Sequence, residues 1–282
     1  MNEYALNISD VTKTFSKLDK GDGKGPALRR LSRTLRPRRV RTTVVDNVNM
    51  RLPKGAIYGI VGPNGSGKST LVRMISTLLL PDSGSITVFG RDVVKEPLLV
   101  QRMINRVSVD AAFFKKLSTM ENLVYTGRLY GMRPGSAAER SRQILDRLGF
   151  DKTKIDSSME ELSRGMQQKV AIARGFLTSP MVLLLDEPTT GLDPKSKRDV
   201  QAFIKELREE HDASILLTTH DMAEAEALSD RIAILDKGKV IAFDTSEGLR
   251  SMCKKGDALP TLEEVFIELT GKRLDEDEEG EK

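Results

Sequence analysis

The sequence predicts an α/β protein, a mainly parallel sheet covered by helices, with a helical segment inserted between the halves of the sheet. Three observations predict it. Short apolar runs alternate with helical patterns along the chain. Those runs are apolar throughout, as strands buried on both faces are. A glycine-rich loop, GPNGSGKST at 62–70, stands between one such run and a helix.

The strand candidates are AIYGIVG (56–62), MVLLLD (181–186) and SILLTT (214–219). STLVRMISTLLL (69–80) reads as a helix closed by Pro81. A second helix runs from Pro194 to about Glu210, with proline in its first turn and Val200, Phe203, Ile204 and Leu207 on one face. RIAILDKGKVIAFD (231–244) reads as two strands around a Lys-Gly turn, a hairpin. Residues 96–165 are mostly helical by pattern, broken at Gly131 and Pro134–Gly135, and form the inserted subdomain. The expected boundary is at 250, with a C-terminal unit over 251–282. Its PTLEEVFIELTG (260–271) gives an amphipathic helix with Leu262, Val265, Phe266 and Leu269 on one face. No internal repeat is visible.

With 282 residues, 39% of them hydrophobic and none tryptophan, the chain builds its core from Leu, Ile and Val. Its longest apolar runs, MVLLL (181–185) and ILL (215–217), are too short to span a bilayer. The opening MNEYALNISD lacks the basic-then-apolar order of a signal peptide. A single cysteine, Cys253, makes no internal disulfide, which fits a reducing cytosol. The net charge of +4 conceals two opposed clusters. Residues 16–41 hold ten Lys and Arg against Asp19 and Asp22, while the tail from Asp275 to Glu281 is almost wholly acidic. KLDKGDGKGP (17–26) reads as a flexible loop and RLDEDEEGEK as a disordered end.

GPNGSGKST fits G-x-x-x-x-G-K-[ST] in the strand–loop–helix setting that this motif requires. Gly65 and Gly67 let successive amides curl around phosphates, Lys68 supplies a point charge, and the Ser69 hydroxyl suits Mg²⁺. In LLLDEPTTGLDP (183–194), Asp186 ends a buried strand and suits Mg²⁺ directly or through water; Glu187 beside it is placed to orient an attacking water. The pair could instead simply cap the Pro-Thr-Thr-Gly turn. TTHD (218–221) ends the next strand, where His220 has a donor for a phosphate oxygen in either tautomer. LSRGMQQ (162–168) opens a further helix, with Ser163 as cap and Gly165 where a close backbone approach would require it.

In this order the pieces resemble the ATP-binding subunit of ABC transporters over about residues 4–250. GPNGSGKST resembles the Walker A loop, LLLDEP the Walker B strand with its catalytic glutamate, GLD (191–193) the D-loop, TTH the switch-histidine loop, and LSRGM stands where the family has LSGGQ. The resemblance implies a P-loop NTPase core with a small antiparallel β subdomain. It implies an ATP site lined by Gly62, Pro63, Asn64, Gly65, Ser66, Gly67, Lys68, Ser69 and Thr70, with Mg²⁺ on Ser69 and Asp186 and with Lys68, Glu187 and His220 catalytic. It further implies a head-to-tail pair, in which Ser163, Gly165 and Asp193 of one copy close on the nucleotide of the other. Phe15, in VTKTF, falls where the family stacks a ring on adenine; the competing reading is a core phenylalanine. Arg164 and Met166 replace the family's usual glycine and glutamine. A second departure concerns the glutamine of the Q-loop. Counting back from LSTMEN puts that position at Val109, beside Asp110, and RVSVDAAFFKKLSTMENL contains no glutamine. Valine has no oxygen to offer a metal.

ALRRLSRTLRPRR (27–39) reads as a basic amphipathic helix, with Leu28, Leu31 and Leu35 on one face and a stop at Pro37. It suits an anionic membrane surface or an acidic partner; a solvated loop is the alternative. Nucleic acid is disfavoured because no aromatics interleave the basic run. The resemblance thus implies a peripheral ATPase on the cytoplasmic face of the cell membrane, in two copies, driving a separate polytopic permease that exports drug, lipid or lipid-linked glycan. The alternative is a soluble ABC-type ATPase acting on ribosomes or nucleic acid.

Overall fold

Every strand of the larger sheet is ordered around the one that leads into the glycine-rich loop. The computed structural model describes residues 3–18, 39–108, 112–254 and 258–271. Strand β3 (Ile57–Val61) is buried at all five positions and pairs in parallel with β8 (Ser214–Thr219) and β9 (Arg231–Asp236). Beyond β8 lie β7 (Val182–Asp186) and β6 (Ile104–Ser108), both parallel, and β10 (Lys239–Asp244) closes the other edge antiparallel to β9. The two-residue side-chain period divides these strands cleanly between two cores. Leu183, Leu185, Ile215 and Leu217 face one, while Val182, Leu184 and Leu216 face the other.

The second sheet is antiparallel throughout, in the order β2-β1-β4-β5. It contains β1 (Tyr4–Leu18), β2 (Arg39–Pro53), β4 (Ser83–Val88) and β5 (Arg91–Asp92). Ala5, Leu6, Ile8, Val45, Val48 and Leu52 pack it against Tyr58, Ile60, Leu71, Val72 and Met74. Here β2 crosses the phosphate loop closely. A Cβ on Gly67 (φ 109°) would lie 2.4 Å from the Val44 carbonyl, and one on Gly238 (φ 82°) would lie 2.6 Å from the same oxygen. The Gly238 amide donates to the Ser66 carbonyl at 2.9 Å, so loop, strand and hairpin turn meet at one point.

Helix α1 (Lys68–Ile75) stops well short of the expected Leu80. Thr77 takes a left-handed φ of 63°, and the Leu78 amide bonds back to the Arg73 carbonyl at 2.9 Å, a helix-ending wrap. Leu71, Val72, Met74 and Ile75 are buried, whereas Leu78 and Leu80 are exposed. The stretch 96–165 also needs correction, because β6 lies inside it, after the short α2 (Pro97–Gln101). As an edge strand it tolerates Asn105, Arg106 and Ser108 beside buried Ile104 and Val107, so it carries no apolar run. The helical insertion proper follows it: α3 (Thr119–Leu129) with a Ser118–Glu121 capping box, α4 (Pro134–Arg147), two short 3₁₀ turns, and then α5 (Arg164–Phe176). The helix α6 (Pro194–His211) and the hairpin β9–β10 stand where expected, the latter around Lys237 and Gly238 at positive φ.

The expected boundary at 250 falls inside α8 (Ser246–Met252), which follows α7 (Met222–Leu228) and the hairpin. The last helix, α9 (Leu262–Thr270), belongs to the same core. Leu262, Val265 and Phe266 pack with Val61, Met222, Ile232, Ile234 and Leu249. Leu269, expected on that face, is 38% exposed because the buried stripe ends at Phe266. The helix proposed for 27–39 lies outside the described residues except at Arg39, which opens β2 instead; Val109, Asp110 and the acidic tail lie outside them too. Phe266→Ala should therefore cost about 3–5 kcal/mol in urea or thermal unfolding of the whole chain, against about 0.5 kcal/mol or less for Leu269→Ala. Equal stability of the two variants would contradict the docking of α9.

Candidate functional site

The register of the sheet builds the site. Val61 pairs with Thr219 and Asp186 with Thr218, so β3, β7 and β8 end side by side. Their next residues, Gly62, Glu187 and His220, emerge at one edge of the sheet.

Gly65 and Gly67 both have positive φ, which turns successive amides towards one concavity in front of α1. Lys68 is buried below this loop, and its ammonium donates to the carbonyls of Gly62 (2.7 Å) and Pro63 (3.1 Å). Burial lowers its pKa, against the pull of Glu187 at 3.5 Å. Asn64 and Gly65 are exposed, while Ser66 is buried, and its hydroxyl has no hydrogen-bond partner among the described residues.

Asp186 is held by three donors. The hydroxyls of Ser69 (3.0 Å) and Thr218 (2.7 Å) donate to Oδ1, and the Arg106 guanidinium donates to Oδ2 at 2.9 Å. Glu187 follows at φ 53°, a left-handed conformation that costs a non-glycine residue on the order of 1 kcal/mol. Its amide donates to the Thr218 carbonyl at 2.9 Å, which anchors the turn. One oxygen, Oε1, faces Lys68; the other accepts from Thr190 Oγ1 (3.1 Å) and pairs with His220 Nδ1 (3.1 Å). The hydrogen bond from His220 leads in holding the Glu187 pKa down to about 2, with Lys68 adding to it against desolvation. Reciprocally, the Glu187 carboxylate raises the His220 pKa above its ordinary 6.5. At neutral pH Glu187 is thus a fixed anion, suited to orient and polarise water rather than to store a proton.

A buried carboxyl that the sequence reading missed supports both elements. Glu224, 1% exposed, accepts from Thr189 Oγ1 and Thr219 Oγ1, each at 2.6 Å. It therefore ties the turn carrying Glu187 to the strand end carrying His220. Desolvation raises its pKa. Arg106 was missed too. The signal for both was a charged residue at an apolar position of a core-facing pattern, in MAEAEAL and INRVS.

Ser163, Gly165 and Asp193 form a separate cluster. The Ser163 hydroxyl caps α5 by accepting from the Met166 amide at 3.3 Å. Asp193 caps α6 through the amides of Lys195 and Ser196, both at 3.0 Å. The close approach that Gly165 allows is taken within the chain, since a Cβ there would lie 3.1 Å from Ser196 Oγ and 3.4 Å from Asp193 Oδ2. These contacts stay within 163–166 or 193–196 or join the two, and none of them leads to 62–70. Phe15 is 37% exposed on β1, with the Lys13 ammonium 5.7 Å from its ring, so the core reading of this residue is set aside. Its pairing partner, Thr42, is two residues from the Val44 carbonyl that abuts Gly67.

A phosphate cradle with a buried lysine, and two carboxylates at the end of β7, one strand removed from β3, define a P-loop nucleotide-binding protein. Residues 45–190 match the ABC transporter family, and the chain belongs to that family. It is 42% identical over 210 residues to the daunorubicin/doxorubicin resistance ATP-binding protein DrrA of Streptomyces peucetius, a match covering 74% of this chain. The same match covers 63% of that relative, less than two thirds of its length. Among solved structures, an ATP-binding subunit of an ABC transporter superposes with a TM-score of 0.75 at 26% identity, covering 94% of this chain and 99% of the other. A dimeric bacterial ABC transporter cassette gives a TM-score of 0.72 at 25% identity, covering 85% and 98%.

The Glu187–His220 pair sets a testable pH dependence. Its His220 part is fully present below about pH 6.5 and is lost as pH rises through the raised folded value. Its Glu187 part is present above the ordinary 4.5 and is lost as pH falls towards about 2. The chain has two histidines, so ¹⁵N-detected imidazole titration can follow His220 individually. It should titrate above 6.5 and move down in Glu187→Gln. An unchanged value in that variant would contradict the pairing.

Proposed function

We propose that this chain is the Mg²⁺-dependent ATPase subunit that powers a separate membrane permease, an exporter whose cargo is a drug or lipid. The observation that carries this reading is the division of the site. Lys68, Asp186, Glu187 and His220 gather at one sheet edge, while Ser163 and Gly165 bond elsewhere. A head-to-tail pair of copies brings the second cluster of one chain over the phosphate loop of the other, and ATP becomes part of the contact. The dimeric cassette among the structural neighbours supports that arrangement. The relative named for daunorubicin and doxorubicin resistance favours drug export over work on ribosomes or nucleic acid. Among the described residues no helix is long and apolar enough to cross a membrane.

The residues present fit Mg²⁺. The Ser69 hydroxyl and Asp186 are hard oxygen donors, and no described group of three or more His, Cys, Asp or Glu offers a complete protein cage. Mg²⁺ suits such a sparse site because it keeps water and phosphate oxygens as ligands. When bound, it would offset charge on the outer phosphates. The amides of 62–70 and the Lys68 ammonium hold the phosphates, and Phe15 offers its exposed ring to the base. Glu187 aligns water for in-line attack, and His220 keeps that carboxylate ionised and in place.

The basic segment 27–39 lies between the paired ends of β1 and β2, where Leu18 faces Arg39. We assign it to the anionic membrane surface beside the permease. Its deletion should abolish transport in cells while leaving nucleotide hydrolysis intact; unaffected transport would refute the assignment.

Glu187→Gln should bind ATP, hydrolyse it at least about 100-fold more slowly, and elute as a dimer in light-scattering chromatography with ATP. Lys68→Ala should bind nucleotide weakly and stay monomeric. Near-normal turnover by the Glu187 variant would remove it from the reaction.

A further inference from the structure

We infer that Arg106 is a built-in counter-ion of Asp186 that weakens the hold of this site on its divalent cation. The inference rests on the proposed Mg²⁺–ATP site and concerns how tightly that site takes the metal. The strand β6 places Ser108 opposite Asp186 and Arg106 opposite Leu184, so the arginine side chain reaches along the sheet to Asp186 Oδ2 at 2.9 Å. Both partners are largely buried, with side-chain exposures of 20% and 8%. Ile104, on the same face of β6, packs with Leu184 and Leu216. Its Nε is buried and has no hydrogen-bond partner among the described residues. Such a charge is costly to bury with one carboxylate contact, so its place is poorly explained by stability alone.

The chemistry at Asp186 points to the metal. Oδ1 accepts from the Ser69 hydroxyl, the ligand expected for Mg²⁺, and Oδ2 is occupied by Arg106. A guanidinium has no acceptor and cannot ligate a cation, so Arg106 acts only through Asp186 and through its own field. A unit positive charge bonded to the metal-side carboxylate repels an incoming dication, even at the effective dielectric of a partly exposed protein site. Arg106 is thus a positioning residue that fixes the orientation of Asp186 and lowers the affinity for the metal.

A purely structural ion pair predicts the opposite sign, because losing Arg106 would then loosen Asp186 and weaken metal binding. Binding of mant-AMPPNP to the full chain, measured by fluorescence in EDTA and again in saturating MgCl₂, separates the two. By linkage, the ratio of the two dissociation constants reports how much the protein tightens on the metal. We expect the ratio to rise about tenfold in Arg106→Gln and in Arg106→Met, and to stay within about twofold of the unaltered chain in Arg106→Lys, which keeps the charge. An unchanged or lower ratio in whichever neutral variant retains the native circular dichroism would overturn the inference. Failure of the unaltered chain to bind mant-AMPPNP under either condition would instead overturn the proposed nucleotide site.

Discussion

The common finishing line of β3, β7 and β8 is the constraint on which the rest of the site depends. Each strand is packed on both faces, and a slip of one residue would exchange the side chains belonging to the two cores. Hydrophobic packing therefore fixes the register, and the register fixes where Gly62, Glu187 and His220 leave the sheet. The glycine-rich loop inherits the same rigidity from below and from the side. It is bounded by the Val44 carbonyl and by the turn at Gly238, two contacts that leave no room for a Cβ.

Upon that frame the charges are arranged as alternating pairs. Lys68 faces Glu187, Glu187 faces His220, and Arg106 faces Asp186. Glu187 is thereby kept ionised beside a cradle built for phosphate. Beneath them, Glu224 holds Thr189 and Thr219, while Asp221 caps α7 and pairs with Lys197. Motion of the His220 loop relative to the Glu187 turn would have to disturb this buried carboxyl. A chemical change at the phosphate edge is thus linked to α6 and α7 through named bonds.

Much of this was legible in the sequence because both the sheet and the loop are written in local patterns. MVLLLD and SILLTT read as buried strands, GPNGSGKST as a phosphate loop, and the Lys-Gly turn as a hairpin. The edge strand β6 was not legible. One sheet partner lets polar residues alternate with Ile104 and Val107, and the result imitates a helical surface. The early end of α1 was hidden because Leu78 and Leu80 are apolar yet exposed, so hydrophobicity alone overran the left-handed Thr77. The contacts of Arg106 and Glu224 depend on which strands become neighbours, and a single sequence does not show this. For Gly165 the sequence implies a close backbone approach without saying to what; within the chain its near neighbours are Asp193 and Ser196 at the start of α6.

What a single chain leaves apart is the clearest functional statement of the fold. The phosphate cradle and the capped end of α5 are both formed, and their contacts run in different directions. Turnover per chain should accordingly depend on protein concentration. Measured across the dissociation range of the ATP-bound pair, the total ATPase rate should fall with the square of protein concentration, and the rate per chain in proportion to it, towards zero. A rate per chain that stays constant down to strictly monomeric solution would contradict a site completed by two copies.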